Sequence, residues 1–309
     1  MRWEDFRRSD NVEDRSDSGG GFPVGGGLRL GGGALVVIVV ASLVLGVNPL
    51  EMIGLLETAG PGAPTQAPPG YGPQPPPGAP APRAPTPGAS APRAPTPGPA
   101  KDFVAAILGD TEDVWSAIFQ ARGARYQPPR LVLFRGATQS ACGHASAATG
   151  PFYCPGDREV YLDTAFFDEL SRRFGASGDF AQAYVIAHEV GHHVQNLTGT
   201  MEKVDRAMRS GDARGRNALS VRLELQADCY AGVWGYFVQK RGKLQPGDLE
   251  EGFRAANAVG DDQIQKRTQG YVVPETFTHG SGEQRLHWFR AGLESGDVRK
   301  CDTFAAAAR

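Results

Sequence analysis

The chain has 309 residues and a formal net charge of −2, from 32 Lys and Arg against 34 Asp and Glu. So even a balance offers no basic field for a polyanion, which excludes nucleic acid as a partner. The 41 Gly and 24 Pro gather toward the N-terminus, so the globular part is much shorter than the chain.

Residues 1–29 are polar and Gly-rich and read as a disordered cytoplasmic tail. Residues 30–50 carry no charged side chain, and 34–47 are almost continuously aliphatic. As a helix at about 1.5 Å per residue this stretch spans about 31 Å, the thickness of a bilayer's hydrocarbon core. Its Gly-rich and Pro-rich flanks leave nothing nearby to bury it, so it reads as a single transmembrane anchor. Arg2, Arg7, Arg8, Arg15 and Arg29 precede it, and the next cationic residue is Arg83. The positive-inside rule then predicts a single-pass protein with a cytoplasmic N-terminus and an extracytoplasmic domain. The leader is long and acidic for a cleaved signal peptide.

Residues 51–100 read as a Pro-rich disordered linker. Sixteen prolines fall between Pro61 and Pro99, and APRAPTPG begins at both Ala81 and Ala91. Such a tract builds no core and favours extended polyproline II, a stalk.

The remaining residues, 101–309, suffice for one domain. Thr111 is placed as the N-cap of a helix carrying Val114, Trp115, Ile118 and Phe119. Residues 131–134 and 160–162 are short strands, and 168–174 a short helix. Helical periods follow over 180–197 and 219–240. A third helix starts after Pro246 as its first residue, and a last one after Ser281 carries Leu286, Phe289 and Leu293. Few strands placed early, with helices after them, predict a helix-dominated α+β domain.

Four cysteines allow three pairings. Cys142 and Cys154 flank a Gly/Ser/Pro-rich stretch that a disulfide would staple, leaving Cys229 with Cys301. No C-x-x-C pair supports a thiolate metal site, and disulfides suit an exported domain.

The chemistry begins at His188-Glu189-Val190-Gly191-His192, inside the 180–197 helix. Two imidazoles at i and i+4 share a helix face, about 5–6 Å apart at Cβ. That spacing lets both hold one Zn²⁺ ion while Glu189 reaches a water beside it as general base. A catalytic zinc needs a third protein ligand. Thr198 stands where a third histidine would lie in the metzincin pattern, so Glu224 is the candidate, with Asp228 on the same helix face to accept the outer N–H of a liganding histidine. Oxyanion donors are sought among His279, Tyr271, His287 and Tyr153, with His279 and Tyr271 put forward. His193 lies about 100° round the helix from His192 and is read as a supporting or solvent-facing residue.

These residues resemble a known family. His188–Gln195 (HEVGHHVQ) and Glu224–Trp234 (ELQADCYAGVW) look like the YpfJ-type neutral zinc metallopeptidases of bacteria. Further matches are Gly150–Pro155 (GPFYCP), Gly260-Asp261-Asp262, His279-Gly280-Ser281, Gln284-Arg285 and Glu294-Ser295-Gly296. The resemblance covers about 101–309. It implies a zincin-like fold with the active-site helix beneath a small sheet, one N-terminal membrane segment and one zinc. It also implies His188, His192 and Glu224 as ligands and Glu189 as the catalytic residue.

The expected function is therefore a membrane-anchored zinc endopeptidase acting on peptides or proteins outside the cytoplasm. The alternatives are a zinc amidase on cell-wall peptides and a scaffold protein with a structural zinc.

Overall fold

The computed structural model describes residues 1–16, 98–146 and 149–305. Strand β1 (Val12–Asp14) comes first, then helix α1 (Pro99–Gln120), β2 (Arg130–Phe134), the hairpin β3 (Ala137–Ser140) and β4 (Gly143–Ser146), β5 (Phe152–Cys154) and β6 (Glu159–Asp163). Helices follow: α2 (Phe166–Arg172), α3 (Asp179–Leu197), α4 (Thr200–Ser210), α5 (Ala213–Lys240), α6 (Asp248–Ala258), α7 (Asp261–Thr268) and α8 (Gly282–Ser295). This is the expected helix-dominated α+β arrangement.

The main sheet has the order β1-β2-β6-β5, with β1, β2 and β6 parallel and β5 antiparallel to β6. Alternation along its strands feeds two cores. Leu131, Leu133, Val160 and Leu162 point into the main core with the helices. Val132, Phe134 and Tyr161 line a small second cluster with Cys154. The disulfide Cys142–Cys154 staples that cluster to the β3–β4 turn, and Cys229–Cys301 ties the C-terminal turn to α5; both are the expected pairs.

Helix α3 runs through the middle, against α1, α5, α6 and the sheet. Every residue from Ala183 to Gln195 is buried, so its apolar period there is interrupted by functional residues rather than by a solvent face. Helix α5 is capped by Asp212, whose carboxylate accepts the Gly215 N–H at 2.7 Å. Helix α8 opens with a reciprocal box in which Ser281 Oγ accepts the Gln284 N–H and Gln284 Oε1 accepts the Ser281 N–H.

Several expectations need correction. Thr111 caps nothing: α1 starts at Pro99 and passes through it, and its buried hydroxyl donates to the Leu108 carbonyl, an alternative partner that a sequence reading takes for a cap. Helix α5 begins six residues earlier than expected because Asp212 provides the cap. Helix α6 begins after Gly247, so Pro246 lies outside it. Helices α4 and α7, the β3–β4 hairpin and strands β1 and β5 were not foreseen. The polar tail is corrected for residues 1–16, which pack on the domain: Met1 and Phe6 enter the main core, and β1 extends the sheet. The expected anchor, 30–50, and most of the linker lie outside the described residues. Among the described residues, no helix is long and apolar enough to cross a membrane.

Candidate metal centre

Helices α3 and α5 cross at Gly191. A Cβ there would stand 3.0 Å from the Ala227 carbonyl oxygen and 3.1 Å from its Cα, so the missing side chain lets the backbones approach. That approach brings Glu224, one turn before Ala227 on α5, opposite the two histidines. His188 Nε2 lies 3.2 Å from Glu224 Oε2 and 3.2 Å from His192 Nε2, and His192 Nε2 lies 3.5 Å from Glu224 Oε1. These ligand atoms all fall within 4.8 Å of one another.

The tautomers decide what the cluster holds. His188 Nδ1 donates to Asp228 Oδ1 at 2.8 Å, so in the neutral ring Nε2 is a bare lone pair. His192 Nδ1 lies 2.9 Å from Gln195 Oε1, and Gln195 Nε2 donates to the Leu223 carbonyl at 2.7 Å. Gln195 therefore presents oxygen to His192, and the Nε2 of that ring is bare as well. With both rings neutral, two lone pairs and a carboxylate thus converge on one point. Such an arrangement calls for a cation. Tetrahedral zinc with donors at about 2.0–2.1 Å sets donor–donor separations of about 3.4 Å, which these distances match.

The surroundings support that charge. Asp228, fully buried, accepts from His188, from the Tyr184 hydroxyl and from both Nε and Nη2 of Arg285, at 2.9 and 3.0 Å. Burial opposes ionisation of Asp228, yet the Arg285 and His188 charges hold its carboxyl below the usual range. Burial likewise lowers His188, but Asp228 and Glu224 outweigh it and push the ring up to about 10. A proton and a divalent cation are alternative occupants of that nitrogen, and the cation satisfies both carboxylates and His192 at once.

Glu189 is buried beside the ligands and has no hydrogen-bond partner among the described residues. Burial, opposed by the histidine charges, raises its pKa. His279 is near enough to Glu224 for their charges to interact. Asp261, 2% exposed, accepts the backbone N–H groups of Thr278, His279 and Gly280 on Oδ2 and the His279 Nδ1–H on Oδ1 at 3.0 Å. Burial of His279 opposes its charge, but Asp261 and Glu224 raise its pKa.

The remaining expected residues lie elsewhere. Tyr271 is 62% exposed, and His287 is exposed on α8. Tyr153 and His193 meet instead on the sheet side of α3. His193 is 1% exposed, with Nε2 donating to the Gln127 carbonyl at 2.7 Å and Nδ1 facing the Tyr153 hydroxyl at 3.1 Å. It is therefore a structural anchor, and neither solvent-facing nor part of the metal cluster. Gln195, Asp261 and Arg285 entered only through resemblance, with no role assigned to any of them. Asp228 carried the one available signal, since a buried carboxylate flanked by apolar residues requires a cationic neighbour somewhere. Beside the cluster, a groove of about 570 Å³ runs along the first half of α5, lined by Arg214, Arg222, Leu225, Phe277 and Trp288 among others.

Two packed helices bring His, His and Glu to one point where they could hold a metal ion, the three-ligand set that metallohydrolases use. A family model described as "Putative neutral zinc metallopeptidase" matches residues 1–304, and the chain belongs to that family. It is 45% identical to the uncharacterized protein YpfJ of Escherichia coli K12 over 98% of this chain and 99% of the relative. It is 44% identical to the uncharacterized protein Rv2575 of Mycobacterium tuberculosis H37Rv over 66% of this chain and 70% of the relative. No solved structure matches the chain.

Proposed function

We propose that the chain is a zinc-dependent endopeptidase with His188, His192 and Glu224 as ligands. The observation that carries this reading is the convergence of His188 Nε2, His192 Nε2 and a Glu224 carboxylate oxygen within 4.8 Å of one another, at a distance set that tetrahedral zinc requires. Bound there, zinc would supply an acidified water and a Lewis acid for the scissile carbonyl. Glu189 removes the proton from the attacking water and delivers it to the leaving amine; burial raises its basicity toward that task. A structural site would have no use for an unpaired carboxylate in that place. His279, held through Nδ1 by Asp261, offers its Nε2–H to the developing oxyanion. The two disulfides support action in an oxidising compartment, outside the cytoplasm.

The test uses the full chain, because residues 1–16 belong to the fold. Zinc content and casein cleavage are measured for the wild type, Glu224→Ala and Glu189→Gln. One zinc per wild-type chain, little in Glu224→Ala, and zinc without cleavage in Glu189→Gln are expected. Full zinc in Glu224→Ala would remove the third ligand. Zinc-loaded wild type that leaves casein intact but cleaves amide bonds of cell-wall peptides would turn the assignment to an amidase.

A further inference from the structure

Residues 1–16 are separated from the rest of the described chain by the apolar run 30–50 and the Pro-rich tract, yet they are built into the domain. Strand β1 pairs in parallel with β2 in the register Val12↔Leu131, Glu13↔Val132 and Asp14↔Leu133. The Ser9 N–H donates to the Ala105 carbonyl of α1 at 2.9 Å. At Gly109 of α1 a Cβ would stand 2.3 Å from the Arg7 carbonyl oxygen, so the arm lies directly on helix backbone that only glycine leaves open. Ser9 Oγ and Asn11 Nδ2 both donate to Glu112 Oε1, at 2.6 and 2.8 Å, and Trp3 stacks edge-on against Phe103 at 5.3 Å. These are the contacts of an integral element, with strand pairing, buried polar satisfaction and core packing together.

The charges agree. Arg7 meets Glu112 at 2.7 Å and Asp113 at 2.9 Å, Arg8 grips Asp102 through Nε and Nη2, and Arg15 meets Glu13 at 2.7 Å. Three of the five arginines on which the positive-inside argument rests, Arg7, Arg8 and Arg15, are thus paired with acids of the folded domain and of the arm itself. They no longer report which side of a membrane the N-terminus occupies.

We infer that residues 1–16 and 98–305 lie on the same side of any membrane this chain meets. A helix that crosses once between them would place β1 and β2 on opposite faces, which their hydrogen-bonded register forbids. The expected arrangement, with a cytoplasmic N-terminus and the domain outside, requires β1 to leave the sheet.

The test places single new cysteines on exposed positions of the two parts, Asp10→Cys on the arm and Arg209→Cys on α4, in the full chain. Among the described residues no native cysteine is free, so a membrane-impermeant maleimide applied to cells under non-reducing conditions reports the new thiol. Both substitutions lie on the surface, and retained zinc in each purified variant verifies folding. The expected result is that both sites label in intact cells, or that both label only after permeabilisation. Labelling of one site in intact cells and of the other only after permeabilisation would overturn the inference.

Discussion

Arg285 grips Asp228 with two parallel hydrogen bonds, Nε to Oδ2 at 2.9 Å and Nη2 to Oδ1 at 3.0 Å, where both side chains are almost completely buried. The pair joins α8 to α5, and Asp228 carries the grip on to His188 Nδ1. One carboxylate thus fixes the tautomer of a metal ligand while a guanidinium fixes the carboxylate. A planar, permanently charged fork suits this site better than a lysine would.

Replacing Arg285 with Met should leave Asp228 as an uncompensated buried charge and destabilise the fold by about 3–5 kcal/mol. Asp228→Asn keeps the shape but weakens the grip on His188, and zinc affinity should fall about 10–100-fold. Urea unfolding and competition with a zinc chelator measure the two effects. Unchanged zinc affinity in Asp228→Asn would show that His188 needs no orienting partner.

His192 is held by a longer relay. Its Nδ1 donates to Gln195 Oε1; Gln195 Nε2 donates to Gln226 Oε1 at 3.2 Å, and Gln226 Nε2 donates to the Cys301 carbonyl at 2.9 Å. The Cys229–Cys301 disulfide fixes the end of that relay. Gln195→Ala should lower zinc affinity about 10-fold or more. Removing both cysteines, which close a loop with a sequence separation of 72, should destabilise by about 2–5 kcal/mol and also weaken zinc binding. Equal zinc affinity with and without the disulfide would sever the relay from the site.

Some of this was legible in the sequence. The i, i+4 spacing places His188 with His192 and Glu224 with Asp228 on single helix faces, because such spacing is a property of the helix alone. Which helix faces which is not local. It rests on the close approach at Gly191 and Ala227, and a glycine within a helix gives no sign of the neighbour it admits. Arg285 and Asp261 were hidden for the same reason, since each acts through a partner 57 or 18 positions away. Strand β1 is too short and polar to signal pairing, and Arg7 and Arg8 before it read as part of a solvated tail until Asp102, Glu112 and Asp113 are placed opposite them. His193 was misjudged because the helical angle says only that it points away from the metal, and the sheet it meets there is formed by distant residues.

The His279–Asp261 pair predicts a loss in turnover without a loss of metal. His279→Ala should reduce kcat by about 10²–10³-fold while zinc content stays at the wild-type level. Asp261→Asn, which leaves the imidazole present but less firmly oriented and less readily charged, should fall between the two. Steady-state kinetics on zinc-loaded protein decide this. Zinc lost from His279→Ala would make that histidine a ligand rather than a donor.

His193 gives a pH dependence whose sign follows from its burial. Desolvation pulls its pKa down to about 4, whereas in the unfolded chain it titrates near 6.5. Below pH 6.5 the unfolded state takes up a proton that the folded state refuses, so stability is full above that pH and declines as pH falls toward 4. The difference of about 2.5 units corresponds to a contribution of about 3 kcal/mol lost across that window. His193→Gln should be less stable at neutral pH, because the Gln127 and Tyr153 contacts are disturbed, but its stability should fall less steeply between pH 6.5 and 4. Both chains are best compared in a Glu224→Ala background, which removes the pH dependence of metal binding and leaves the other histidines common to the pair. Denaturant midpoints at half-unit pH steps supply the comparison, and parallel curves would mean that His193 is protonated in the folded protein as readily as in the unfolded one.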